Sequence, residues 1–194
     1  MDQKKIVVFA SGSGSNFSNI CEYFSRKTEI SVELLVCNNP KAKAINIAKL
    51  WGVKAINIDT EAFHGNELLS KLKKVNPRLI VLAGFLWKIP NTIIKSFSKK
   101  IINIHPSLLP KFGGKGMYGI NVHRSVIKNK EHSSGLTIHY VDEKYDNGGI
   151  IFQKKTDITE NDTAETLAKK ILLLEHQYYP KIIESLLKKE NETY

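Results

Sequence analysis

Ile6-Val7-Val8-Phe9-Ala10-Ser11-Gly12-Ser13-Gly14-Ser15-Asn16 is the stretch that decides the fold. An apolar, β-rich run enters a glycine-serine turn, after which Phe17, Ile20, Cys21 and Phe24 recur at helical spacing. That order is strand, glycine turn, helix. The same alternation predicts strands over residues 32–37, 55–58 and 79–83, and helices over 42–51 and 61–75. Strands separated by helices make crossover units. A parallel sheet built from them is covered on both faces, which is why its strands are uniformly apolar. The expected class is α/β, a doubly wound, mostly parallel sheet.

A shorter helix is expected after Pro90, followed by the buried strand Ile101-Ile102-Asn103-Ile104, which His105-Pro106 stops. From there the pattern changes. Residues 107–119 are rich in glycine and proline, a long connection of the kind that is usually functional or mobile. A helix over 120–129 leads to a strand over 135–141, where alternating Leu136, Ile138 and Tyr140 predict a half-exposed face. Its antiparallel neighbour is expected over 150–153, across a turn at Asn147-Gly148-Gly149. A long amphipathic helix beginning near Asp162-Thr163 closes the chain, with Leu167, Ile171, Leu174 and Tyr178 on one face and a fraying tail after Leu187. Residues 1–194 are expected to form one domain.

Composition narrows the function classes. At 194 residues and 42% hydrophobic content the chain can bury a sizeable core. No apolar run approaches the roughly 20 residues that span a bilayer, and Met1-Asp2-Gln3-Lys4-Lys5 enters a short strand directly, so a cytoplasmic protein is expected. Cys21 and Cys37 lack C-x-x-C spacing, so neither a disulfide framework nor a zinc site is indicated. The net charge of +10 raises nucleic acid as a partner. The lysines are nevertheless scattered in short groups, with no arginine-rich strip among aromatics. Solvated helix faces, and a positive field that favours anionic small substrates, account for them better.

Two segments carry candidate chemistry. The turn Ser11 to Asn16 can place backbone N–H groups at a helix N-terminus, a ready anion site. It lacks the third glycine of a dinucleotide fingerprint and the Gly-Lys-Ser/Thr of a P-loop, so a plain tight turn with Ser15 or Asn16 as N-cap stays open. Asn103-Ile104-His105-Pro106-Ser107-Leu108-Leu109-Pro110 is more informative. Asn103 and His105 point to the same side of a strand and emerge at its carboxyl end, where α/β proteins build their sites.

That second run, preceded by Leu82-Ala83-Gly84-Phe85 and followed by His139-Tyr140-Val141 and Asp146-Asn147-Gly148-Gly149, closely resembles the phosphoribosylglycinamide formyltransferase family of purine biosynthesis. The likeness extends from Ile6 to Glu175-His176-Gln177-Tyr178-Tyr179-Pro180. It implies a Rossmann-like formyltransferase fold with an antiparallel C-terminal strand pair, and small-molecule substrates bound by a monomer or homodimer. It also implies 10-formyltetrahydrofolate as co-substrate, glycinamide ribonucleotide as formyl acceptor, and no metal. By the same resemblance Asn103, His105 and Asp146 are the catalytic trio. Gly14, Ser15, Asn16, Pro106 and Glu175 would hold the ribonucleotide, and Leu86, Trp87, Lys88, Ile89, Val141 and Asp142 the folate. Asp146 taken alone is an ordinary turn residue; only the resemblance raises it.

The chain departs from the family pattern in places. Leu86-Trp87-Lys88 replaces a methionine-arginine pair, which leaves open whether Trp87 packs on folate or caps the core. Asn66 stands near a missing arginine, and Leu172 near a missing phosphate lysine for which Lys169 or Lys170 is the candidate substitute. Lys111-Phe112-Gly113-Gly114-Lys115-Gly116-Met117-Tyr118-Gly119 is longer than the usual link, either a flap that brings Lys115 and Tyr118 to the substrates or a structural insertion. His123 and His139 are read as hydrogen bonders near the site or as satisfied core residues. The competing activities are formyltetrahydrofolate deformylase, methionyl-tRNA formyltransferase and a catalytically silent nucleotide-binding module. The first two are expected to carry additional terminal modules that this sequence does not show.

Overall fold

The computed structural model describes residues 3–189. Its seven strands are β1 (Lys4–Ala10), β2 (Ile30–Cys37), β3 (Lys54–Asn57), β4 (Leu79–Leu82), β5 (Ile101–His105), β6 (Ser133–Tyr140) and β7 (Ile150–Asp157). The helices are α1 (Ser15–Phe24), α2 (Lys43–Leu50), α3 (Thr60–His64), α4 (Asn66–Val75), α5 (Asn91–Ser96), α6 (Ile120–Lys128) and α7 (Ala164–Lys189). All strands join one sheet in the order β3-β2-β1-β4-β5-β6-β7. The first five are parallel, while β6 runs antiparallel to β5 and β7 antiparallel to β6. The α/β class and the antiparallel C-terminal pair are as expected from the sequence.

Strand alternation divides the core. Ile6, Val8 and Ala10 join the layer beneath α1, α2 and α7, while Val7 and Phe9 join the layer beneath α3, α4 and α5. Chain order reverses between β1 and β4, the switch point where loops from two strands splay apart and leave a crevice at the carboxyl edge. α7 binds the two halves: Tyr179 is fully buried and its hydroxyl donates to Leu82 O on β4 at 2.9 Å. No helix among the described residues is long and apolar enough to cross a membrane.

Three expectations need correction. The helix over 61–75 is two helices, because Asp59 accepts from Ala62 N to cap α3 and extended Gly65 separates it from α4. β6 is buried on both faces rather than half-exposed; its polar residues Thr137 and His139 turn toward the 107–111 loop and Asn103. The buried stripe of α7 runs through Leu167, Ile171, Glu175, Tyr179, Ile183 and Leu187. Leu174 and Tyr178 are only partly buried beside it, Tyr178 against Phe152 with ring centroids 5.1 Å apart. Of the tail expected to fray, the helix continues to Lys189, and residues 190–194 lie outside the described residues.

Candidate active site

The site grows from β5. Asn103 and His105 point the same way at the carboxyl end of this strand, and the antiparallel register sets His139 opposite Asn103 and Thr137 opposite His105. The turn that follows is pinned, since Thr137 Oγ1 donates to Ser107 O at 2.6 Å and accepts from Leu109 N at 3.0 Å. Asp146 reaches the same point from the β6–β7 connection with φ of 51°, a left-handed conformation that aspartate tolerates better than most residues. The connection folds tightly beneath it. A Cβ on Gly148 would lie 1.9 Å from Tyr140 O, so only glycine fits there.

These groups make one hydrogen-bonded cluster. His139 Nδ1 lies 2.8 Å from Tyr140 O; a carbonyl only accepts, so Nδ1 carries the proton and Nε2 accepts from Asn103 Nδ2 at 3.2 Å. The second N–H of Asn103 faces Asp146 Oδ1 at 3.5 Å, the limit of a hydrogen bond. His105 Nδ1 is 3.5 Å from Asp146 Oδ2, and its Nε2 is 2.8 Å from Phe112 O. Asp146 Oδ2 also accepts from Gly114 N at 2.9 Å. The glycine-rich segment 111–119 is therefore docked onto the cluster by its own backbone.

The electrostatics follow. Burial pushes the Asp146 carboxyl up, but the His139 and His105 rings beside it and the Gly114 N–H outweigh it, so the group sits below the usual carboxylate range. Burial pulls His105 below the ordinary imidazole value, against Asp146 and the Phe112 carbonyl, which favour the charged ring. An imidazole with an acceptor at each nitrogen satisfies both only as imidazolium. The ring is thus held between a dry environment and two acceptors.

Two pockets adjoin here, sharing Gly84, Leu86, Ile104, Pro106 and Tyr118 as walls. One, of about 390 Å³, is lined by Asn103, His105, Pro106, His139 and Asp146, and its far walls are Leu86, Trp87, Lys88 and Ile89 from the loop after β4 with Val141 and Asp142 from the loop after β6. Trp87 lines the pocket, and its ring packs against Phe63 at 5.1 Å between centroids, as a cap on the core does. The other pocket, of about 470 Å³, is lined by Ser11 to Asn16, Pro106, His123 and Glu175. Gly14, not Ser15 or Asn16, caps α1. Its φ of 74° and a Cβ position 2.8 Å from Ala44 Cα both demand glycine. Asn16 instead donates to Glu175 Oε2 at 2.6 Å. Burial lifts Glu175 to about 7, against that hydrogen bond.

The structure brings every residue that the resemblance named for the catalytic trio, the ribonucleotide or the folate to one of these two pockets. It does not bring Lys170 to the second: its ammonium pairs with Asp162 at 2.6 Å, and Ala168 and Leu172 line the wall instead. The role of His139 in orienting Asn103, and the backbone contacts of Phe112 and Gly114, were not read from sequence. The signal available for His139 was its register opposite Asn103. Tyr118, half exposed, lines both pockets, as does Leu86. Among the described residues no group of three or more His, Cys, Asp or Glu is placed to hold a metal.

An open α/β sheet with an amide, two imidazoles and a carboxylate in one of two adjoining pockets defines a class, the two-site α/β proteins built at a sheet switch point. Residues 4–183 match the family described as Formyl transferase. The chain is 39% identical to phosphoribosylglycinamide formyltransferase of Bacillus subtilis, with 95% of each chain covered. It is 41% identical to the chloroplastic enzyme of that name from Vigna unguiculata, covering 95% of this chain and 61% of that one. The chain thus spans about three fifths of that plant relative's length, and 65% of its Arabidopsis thaliana counterpart. The crystal structure of phosphoribosylglycinamide formyltransferase from Bacillus halodurans superposes with a TM-score of 0.88 at 34% identity, over 98% of this chain and 99% of that one. The chain belongs to the formyl transferase family, on its phosphoribosylglycinamide formyltransferase branch.

Proposed function

We propose that the chain transfers the formyl group of 10-formyltetrahydrofolate to the amine of glycinamide ribonucleotide. The observation that carries this reading is the meeting of Asn103, His105 and Asp146 in one pocket, with a second pocket adjoining it across Ile104 and Pro106. The pocket walled by Leu86, Trp87, Ile89 and Val141 suits a flat pterin, with Lys88 and Asp142 at its polar margins. The other suits a ribonucleotide. The N-terminus of α1 behind Gly14, Ser15 and Asn16 offers N–H groups to a phosphate, and buried Glu175 offers acceptors to ribose hydroxyls.

In this mechanism the amine nitrogen attacks the formyl carbon, a C–N bond forms, and the carbonyl oxygen becomes an oxyanion. The Asn103 N–H that lies at the limit of bonding to Asp146 turns to that oxygen. His139 keeps the amide in register through the other N–H. His105 donates a second hydrogen bond, and carries the proton lost by the amine to the carrier nitrogen as the old C–N bond breaks. Asp146 steadies the imidazolium while it exists. Phe112 O occupies Nε2 of His105, so the flap yields that nitrogen as substrates enter and returns to it afterwards.

The test supplies formyl-folate with glycinamide ribonucleotide, with water alone, or with charged initiator transfer RNA. Formylated glycinamide ribonucleotide as the dominant product supports the proposal. Formate or formylated transfer RNA as the dominant product contradicts it.

A further inference from the structure

His123 stands on the first turns of α6, between core residues Val122 and Val126, and its side chain closes part of the wall of the ribonucleotide pocket. It is only 5% exposed, yet its Nδ1 is buried with no hydrogen-bond partner among the described residues. A buried donor or acceptor left unmade is unfavourable, and in native proteins it is rare enough to require a cause. A leucine would fill the same space without that penalty. The pocket holds one other orphan of this kind, Asn16 Oδ1, but the opposite end of that amide is engaged with Glu175.

The chemistry of the pocket says what His123 faces. The α1 N-terminus answers a phosphate and Glu175 answers ribose hydroxyls, and His123 lies close enough to His105 to feel its charge. The part of the substrate that must arrive beside His105 is the glycinamide, with one amide N–H, one carbonyl and the amine. Burial and the neighbouring His105 hold His123 down at about 4, so it presents an uncharged ring, suited to an amide and unsuited to a phosphate. We propose that His123 is a substrate-binding residue whose imidazole turns as the substrate enters, hydrogen-bonds the glycinamide amide and so directs the amine at the formyl carbon held by Asn103 and His105. The identity of the ligand rests on the function proposed above.

The experiment measures binding of glycinamide ribonucleotide and of ribose 5-phosphate, which lacks the glycinamide, to wild type, His123→Leu and His123→Gln. Melting temperatures and steady-state constants are recorded on the same proteins. His123→Leu is expected to melt at or above the wild-type temperature, to lose about ten- to hundredfold in affinity and KM for glycinamide ribonucleotide, and to bind ribose 5-phosphate as wild type does. His123→Gln, which keeps a hydrogen-bonding end, is expected to recover part of the lost affinity. Should wild type form the product while His123→Leu binds glycinamide ribonucleotide unchanged, the inference fails and the proposed function stands. Equal losses for both ligands in both variants would make His123 a packing residue and overturn it. Wild type that binds ribose 5-phosphate but does not formylate glycinamide ribonucleotide would overturn the proposed function, and this inference with it.

Discussion

Asp146 touches more of the cluster than any other side chain: Asn103, both imidazoles and the flap backbone all approach its two oxygens. Replacing it by asparagine keeps the shape and removes the charge, so His105 loses the partner that favours its protonated form. Turnover of Asp146→Asn is expected to fall by about 10²- to 10⁴-fold, checked by steady-state kinetics. The same carboxylate shapes stability in acid. Its folded pKa lies below the ordinary value, so its contribution is full above the unfolded carboxylate range and is lost as pH falls through the folded value. Glu175 acts with the opposite sign. Raised from 4.5 to about 7, it binds a proton more tightly when folded, so its stabilisation is full below 4.5 and is lost as pH rises to about 7. Melting curves across pH should show Glu175→Gln flattening the decline between 4.5 and 7, and Asp146→Asn flattening only the acid limb. Asn103 and His105 were legible in the sequence because i and i+2 on one strand must share a face. Asp146 was not legible from its neighbours, since its partners other than His139 lie 32 to 43 residues away and a turn aspartate looks the same whether or not it meets them.

At the scale of elements the docking of segment 111–119 is the main addition to what the sequence disclosed. Its glycines predicted freedom, but the contacts that anchor it, Gly114 N–H on Asp146 and Phe112 O on His105, are backbone contacts that leave no mark on side-chain chemistry. Gly114 has φ of 96°, which proline cannot adopt, and proline has no N–H to give. Gly114→Pro is therefore expected to lower kcat about ten- to hundredfold while the melting temperature, set by the core beneath, changes little; kinetics and calorimetry on one preparation check both. β6 shows why one expectation failed. Alternation correctly separates the two faces of a strand, but it cannot say whether the polar face meets water or another strand's loop. Thr137 and His139 meet the latter, which is why polar residues there are buried.

For the molecule as a whole, the alternation of strands and glycine turns was enough to place the ligand crevice, because a doubly wound sheet opens only where chain order reverses. The two pockets were less legible, since each combines loops after several strands with a helix from the far end of the chain. α7 supplies that closing piece, and one buried hydrogen bond, Tyr179 Oη to Leu82 O, ties it to β4 four residues beyond Glu175. Tyr179→Phe leaves the packing and strands the carbonyl; it should cost about 0.5–1.5 kcal/mol in denaturant unfolding and raise KM for the ribonucleotide through Glu175. Formyl transfer as proposed depends above all on His105 moving a proton in the pocket it shares with Asn103 and Asp146. The most direct measurement is formyl transfer to glycinamide ribonucleotide by wild type and by His105→Ala under identical conditions. A fall in kcat of at least about a hundredfold with an unchanged melting temperature is predicted. Near-normal turnover by His105→Ala would contradict it.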